Sequence, residues 1–77
     1  MLRTKLDREV SNYFFDNGDL TMDLQIAVES LVFTNGKPTS GEYYALPGDM
    51  HVWRTHNHVV LYSINGDILT VQVVKPL

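Results

Sequence analysis

The side chains best equipped for chemistry gather between Asp49 and Tyr62, where Asp49, His51, Arg54, His56, His58 and Tyr62 share one short run. An arginine offers a planar fork that grips a phosphate through paired N–H bonds. A histidine ionises near neutrality, so His56 or His58 can give or take a proton. The three histidines with Asp49 also invite a divalent metal, but spacing argues against one. In a hairpin turning at His56-Asn57, His51 pairs near Tyr62 and stands more than ~10 Å along the strand from His56 and His58, at a rise of ~3.3 Å per residue. Two histidines make an incomplete site, so exposed or hydrogen-bonded histidines are the plainer reading, and no metal or other cofactor is expected. Phe14, Phe15, Tyr43, Tyr44 and Trp53 could stack on bases, but such platforms work beside a basic groove. None is evident here. Core packing for Trp53 and Phe14, with Tyr43 and Tyr44 at a rim, is the expectation. There is no phosphate-binding loop, nucleophile elbow or acid pair at informative spacing.

Composition narrows the setting. The 77 residues carry a net charge of -3, which counts against strong nucleic-acid binding through a basic stripe. Arg3, Lys5 and Arg8 lie at the start, and Lys37, Arg54 and Lys75 are scattered. The absence of cysteine removes disulfides, thiolate metal sites and cysteine nucleophiles together, and fits a reducing compartment. No stretch approaches the ~20 apolar residues that span a bilayer. Met1-Leu2-Arg3-Thr4-Lys5 leads into charged sequence rather than an apolar signal segment, so a cytoplasmic protein without membrane contact is expected. At this length a single domain over residues 1–77 with one core is expected.

The elements that must position these residues change character midway. Leu6, Val10, Tyr13 and Phe14 fall on one helical stripe, and Asn17-Gly18 predicts a left-handed stop. Leu20, Leu24, Ala27, Val28, Leu31 and Val32 predict a second helix capped by Asp19 and closed by Asn35-Gly36, antiparallel to the first. Beyond the loop at 35–40, Glu42–Leu46 is a weak strand candidate. Residues 50–55 and 58–64 then read as a hairpin about His56-Asn57, and Asn65-Gly66-Asp67 as a second hairpin turn before the alternating Leu69, Val71 and Val73. Val59-Val60-Leu61-Tyr62 is apolar on both faces, as in a strand covered from both sides. The fold class expected is α+β: two N-terminal helices on a C-terminal antiparallel sheet of three, at most four, strands.

Leu46-Pro47-Gly48, Val52-Trp53-Arg54, His58-Val59-Val60-Leu61-Tyr62 and Asp67-Ile68-Leu69-Thr70-Val71 together resemble the C-terminal half of RelE/ParE-superfamily toxins. In that family a Leu-x-Gly segment leads into a strand with basic residues, a short turn, a central strand ending in an apolar pair and Tyr, and a last alternating strand. The preceding helices match the family's order. Family members normally begin with a strand, and the residues before Leu6 look too few and too polar to form one, so a missing edge strand is expected. The family's central strand usually carries Arg where this chain has Val59. Its RNases often end with a Tyr or His, which Val73-Val74-Lys75-Pro76-Leu77 does not supply.

The resemblance implies the toxin component of a toxin-antitoxin pair, inhibiting translation or a topoisomerase, with a cognate antitoxin as partner. If active as an enzyme, it would be a ribosome-dependent mRNA endonuclease, with Arg54 carried over as a catalytic residue and His58 and Tyr62 as weaker matches. The other reading is a degenerate, non-catalytic protein-binding module of the same fold, holding an antitoxin or pairing with itself as a homodimer, across the edge that the missing strand would expose or through the helices.

Overall fold

The computed structural model describes residues 1–77 and is α+β: two helices pack on one face of a five-stranded mixed sheet. In chain order the elements are β1 (Arg3–Leu6), α1 (Arg8–Asp16), α2 (Gly18–Ser30) with a 3-10 turn at Leu31–Phe33, β2 (Glu42–Leu46), β3 (Met50–Thr55), β4 (His58–Asn65) and β5 (Ile68–Pro76). The sheet runs β1-β5-β4-β3-β2. All pairings are antiparallel except β1 with β5, which is parallel with Arg3 opposite Ile68 and Leu6 opposite Val71.

Two sequence expectations are corrected at once. The sheet has five strands rather than three or four, and the first strand is present. An edge strand needs only one apolar face, and β1 meets that requirement with few residues. Thr4 and Leu6 turn towards the helices while Arg3 and Lys5 face solvent, and backbone bonds from Arg3 N–H to Asp67 O (2.8 Å) and Asp7 N–H to Val71 O (3.0 Å) fasten its ends. Leu6 therefore belongs to β1 and not to the first helix.

The helices follow their apolar spacing with one shift. In α1, Val10 and Phe14 are buried; from α2 into the 3-10 turn the inward line is Thr21, Leu24, Val28 and Leu31. Leu20 was expected on that line and is instead 76% exposed. The displaced position is taken by Thr21, whose hydroxyl donates to Asn17 O at 2.8 Å and so enters the core satisfied. Asn17-Gly18 is not a left-handed stop, since neither residue has positive φ. Asn17 serves both helices: its backbone and side-chain N–H groups donate to Tyr13 O, and its own carbonyl accepts from Thr21 N–H. The cap of α2 is thus Asn17, with Asp19 inside the first turn. Asn35 and Gly36 do close the helical segment, both at positive φ, with Gly36 N–H donating to Leu31 O.

One core lies between the layers. It joins Leu2, Val10, Phe14, Leu24, Val28 and Leu31 to Trp53, Val60, Tyr62, Leu69, Val71 and Val74. Strand alternation assigns Tyr43, His51, Trp53, Thr55, His58, Val60 and Tyr62 to this inner face. The partners of the other parity, among them Tyr44, Val52, Arg54, Val59, Leu61 and Val73, form an outer face on which no residue is buried. β4 is therefore covered on one side only; Val59 and Leu61 are half-buried among their own neighbours and not under another layer.

Candidate functional site

The hairpin between β3 and β4 decides which reactive residues can meet. Its two-residue turn, His56-Asn57, has both φ angles positive (50° and 61°), the geometry of a type I′ turn. It pairs Thr55 with His58, Arg54 with Val59 and His51 with Tyr62. Residues opposite one another share a face, so Arg54 goes out with Val59 while His58 and Tyr62 go in.

His58 is 5% exposed and both ring nitrogens are occupied. Its Nδ1 lies 2.7 Å from His56 O, a group that can only accept, so the proton sits on Nδ1. Nε2 then accepts from the Tyr13 hydroxyl at 2.7 Å. The ring ties α1 to the hairpin and braces a turn in which a histidine occupies left-handed backbone, at a local cost of about 1–2 kcal/mol. Tyr62 is fully buried (0% exposed) and donates to Gly36 O at 2.6 Å, which pins the loop after α2 to the sheet. Burial pushes its phenol pKa up, with a lesser contribution from Tyr43.

Arg54 stands on the outer face. Its Nη1 lies 3.8 Å from Glu42 Oε2, the same oxygen that accepts from the Tyr44 hydroxyl at 2.9 Å. That bond, reinforced by the carboxylate's charge, raises the Tyr44 pKa. The three candidates read as catalytic are thus divided by the sheet: His58 and Tyr62 are engaged in structural bonds inside, and Arg54 is shared with Glu42 outside.

The outer face is organised in rows across the strands. Glu42, Arg54, Val59 and Lys75 make one; Tyr44, Val52, Leu61 and Val73 make the next; Leu46, Met50, Ser63, Thr70 and Lys5 make the third. An apolar band therefore crosses four strands between rows that carry polar and charged groups. With Arg3, four of the six basic residues lie on this face, against Glu42. Nothing beside Arg54 matches a proton-transfer pair with a buried, tuned acid or base.

A cluster missed in the sequence lies on the inner face at its β2 side. The Tyr43 hydroxyl and His51 Nδ1 share a 2.7 Å hydrogen bond, and the His51 ring stacks on Tyr62 with centroids 4.9 Å apart. Burial lowers the His51 pKa, partly opposed by the charge of Asp49. The pairing of His51 with Tyr62 is legible in the hairpin; the contribution of Tyr43 required β2 to be recognised as a strand.

No helix is long and apolar enough to cross a membrane. No protein-family model, curated protein or solved structure matches the chain. The fold and its uncovered face thus define a two-layer α+β domain.

Proposed function

We propose that this chain is a non-catalytic protein-binding module with a RelE/ParE-like arrangement, acting in the cytoplasm and holding a partner such as a cognate antitoxin on the uncovered face of its sheet. The observation that carries the reading is the separation of Arg54 from His58 and Tyr62 by the sheet. RNA cleavage needs groups that activate the 2′-hydroxyl, steady the phosphate and protonate the leaving oxygen around one point. Here the phosphate-gripping group and the proton-transfer candidates point into different surroundings. The apolar row of exposed Tyr44 and half-buried Val52, Leu61 and Val73 favours a protein ligand, since a contiguous apolar band uncovered by any layer and rimmed by polar groups suits a protein contact. β1 occupies the edge across which a homodimer was expected, so self-association by strand pairing would instead use β2, the edge where Tyr44, Ala45 and Leu46 are exposed and no further strand is paired.

An active toxin is the second reading, and β1 favours it: a strand followed by two helices and an antiparallel hairpin series is the order the resemblance implies. Expression of the chain without a partner, with mapping of new mRNA 5′ ends, separates the two. The binding module leaves mRNA ends unchanged in both wild type and Arg54→Ala. Growth arrest with new mRNA ends that disappear in Arg54→Ala would overturn it in favour of a ribosome-dependent endonuclease; arrest without new ends would direct attention to a bound target such as a topoisomerase.

A further inference from the structure

The helical layer has an outward surface that its own fold does not use. In α2 and the turn after it, Asp19, Met22, Asp23, Ile26, Glu29, Ser30 and Phe33 recur at spacings of three and four, so they share one side. Ile26 is 64% and Phe33 76% exposed, and Met22 is exposed beside them. Ile26 and Phe33 also border a groove of about 380 Å³ whose floor includes Leu6, Phe14 and Val28, with Glu29 at its rim. A helix with large apolar side chains on its solvent side, leading into a concave apolar groove, is built as if for a further contact.

Charge selects the occupant. From Glu9 to Gly36 the chain has no Lys or Arg, so Asp19, Asp23 and Glu29 stand beside the apolar spine with no basic residue on α2, and the one cation of the two helices is Arg8 at the first position of α1. Neither ion pair of the molecule involves them: those join Arg3 to Asp67 and Arg54 to Glu42. A second copy docked here by two-fold symmetry would set these carboxylates against their own counterparts, and a nucleic acid or anionic bilayer would meet like charge.

We infer that this surface docks a cationic amphipathic segment of another protein: a helix laying apolar side chains at i, i+4 spacing along Met22, Ile26 and Phe33, with Lys or Arg flanks meeting Asp19, Asp23 and Glu29. The site is distinct from the outer sheet face and carries the opposite charge.

The probe is a fluorescently labelled peptide of Leu and Lys with Leu at helical i, i+4 spacing. Its partner probe has every Lys replaced by Glu. Anisotropy titrations with the full chain at low and high salt should show binding of the Lys peptide that weakens with salt, and at least tenfold weaker binding of the Glu peptide. Ile26→Ser with Phe33→Ser should weaken the Lys peptide about tenfold or more, and Asp23→Lys with Glu29→Lys likewise, while Arg54→Ala leaves it unchanged. All four positions are solvent-facing, and unchanged thermal unfolding verifies that the variants fold. Equal binding by the Ile26→Ser, Phe33→Ser variant, or equal binding of the Glu peptide, overturns the inference. So does sedimentation showing a dimer that the same substitutions dissociate, which would assign the surface to a second copy. Failure here leaves the sheet-face reading intact, because Arg54→Ala and the mRNA ends report on that face alone.

Discussion

Tyr62→Phe separates a structural tyrosine from a catalytic one. The substitution keeps the ring, and with it the burial between the layers and the stacking against His51, and deletes only the hydroxyl that donates to Gly36 O at 2.6 Å. That carbonyl belongs to a left-handed residue, φ 81°, whose glycine sits against Ile64 and Leu2 and cannot easily turn towards water. A buried acceptor left without its donor costs about 1–3 kcal/mol. A domain of this size has a total stability of roughly 4–12 kcal/mol at 0.05–0.15 kcal/mol per residue. The loss is therefore a sizeable fraction of the whole, and each kcal/mol should lower Tm by about 4–8 °C. Urea unfolding should show a lower midpoint with an unchanged m-value, because the same surface is exposed. A midpoint equal to wild type would refute the argument that the Tyr62 hydroxyl anchors the loop, as would loss of a functional readout in Tyr62→Phe at full stability.

Arg54→Ala should behave oppositely in the same assay: its exposed pair with Glu42 is worth about 0–1 kcal/mol, so the urea midpoint should hardly move. His51→Phe should flatten the pH dependence of stability. The folded pKa of His51 is below its unfolded value, so the unfolded chain binds the proton first, and stability present above about pH 6.5 is lost as pH falls through the folded pKa; urea midpoints measured from pH 8 to pH 5 should fall less in the variant. Gly41→Ala and Gly48→Ala share positive φ, but a Cβ at Gly41 meets Arg54 O and Trp53 Nε1 whereas one at Gly48 meets open space. Gly48→Ala should cost about 1–2 kcal/mol and Gly41→Ala clearly more, compared by thermal melts. Replacing His56-Asn57 by Asn-Gly should relieve the left-handed strain of the turn and keep the bond to His58, whose acceptor is the backbone carbonyl of residue 56, while losing the 2.9 Å bond between His56 Nδ1 and the Thr55 hydroxyl; a net stabilisation of at most about 1 kcal/mol is expected by calorimetry.

The division of the candidate site was already implicit in the sequence. A two-residue turn at His56-Asn57 forces Arg54 opposite Val59, and strict alternation then forbids Arg54 from sharing a face with His58 or Tyr62. The hairpin and its register were readable because local chemistry fixes them. The first strand was not, because Arg3–Leu6 is held by backbone bonds to Ile68–Val71, a partner remote in sequence that leaves no periodic mark on four mostly polar residues. Leu20 was misplaced for a related reason. Helical spacing locates a stripe only to within a neighbouring residue, and the hydroxyl bond of Thr21 to Asn17 decides which side of it enters the core.

Position 59 then carries more weight than its bland side chain suggests. It lies in one row with Glu42, Arg54 and Lys75, and the resemblance implies an arginine there. With Val59, the row has two positive groups spaced by an apolar one, and the nearer positive group is shared with Glu42. An arginine in that place would sit directly opposite Arg54, so the two like charges would repel across the strands, although packing would suffer little because the side chain faces out. Valine at this position joins Leu61 and Val52 in extending an apolar surface rather than interrupting it.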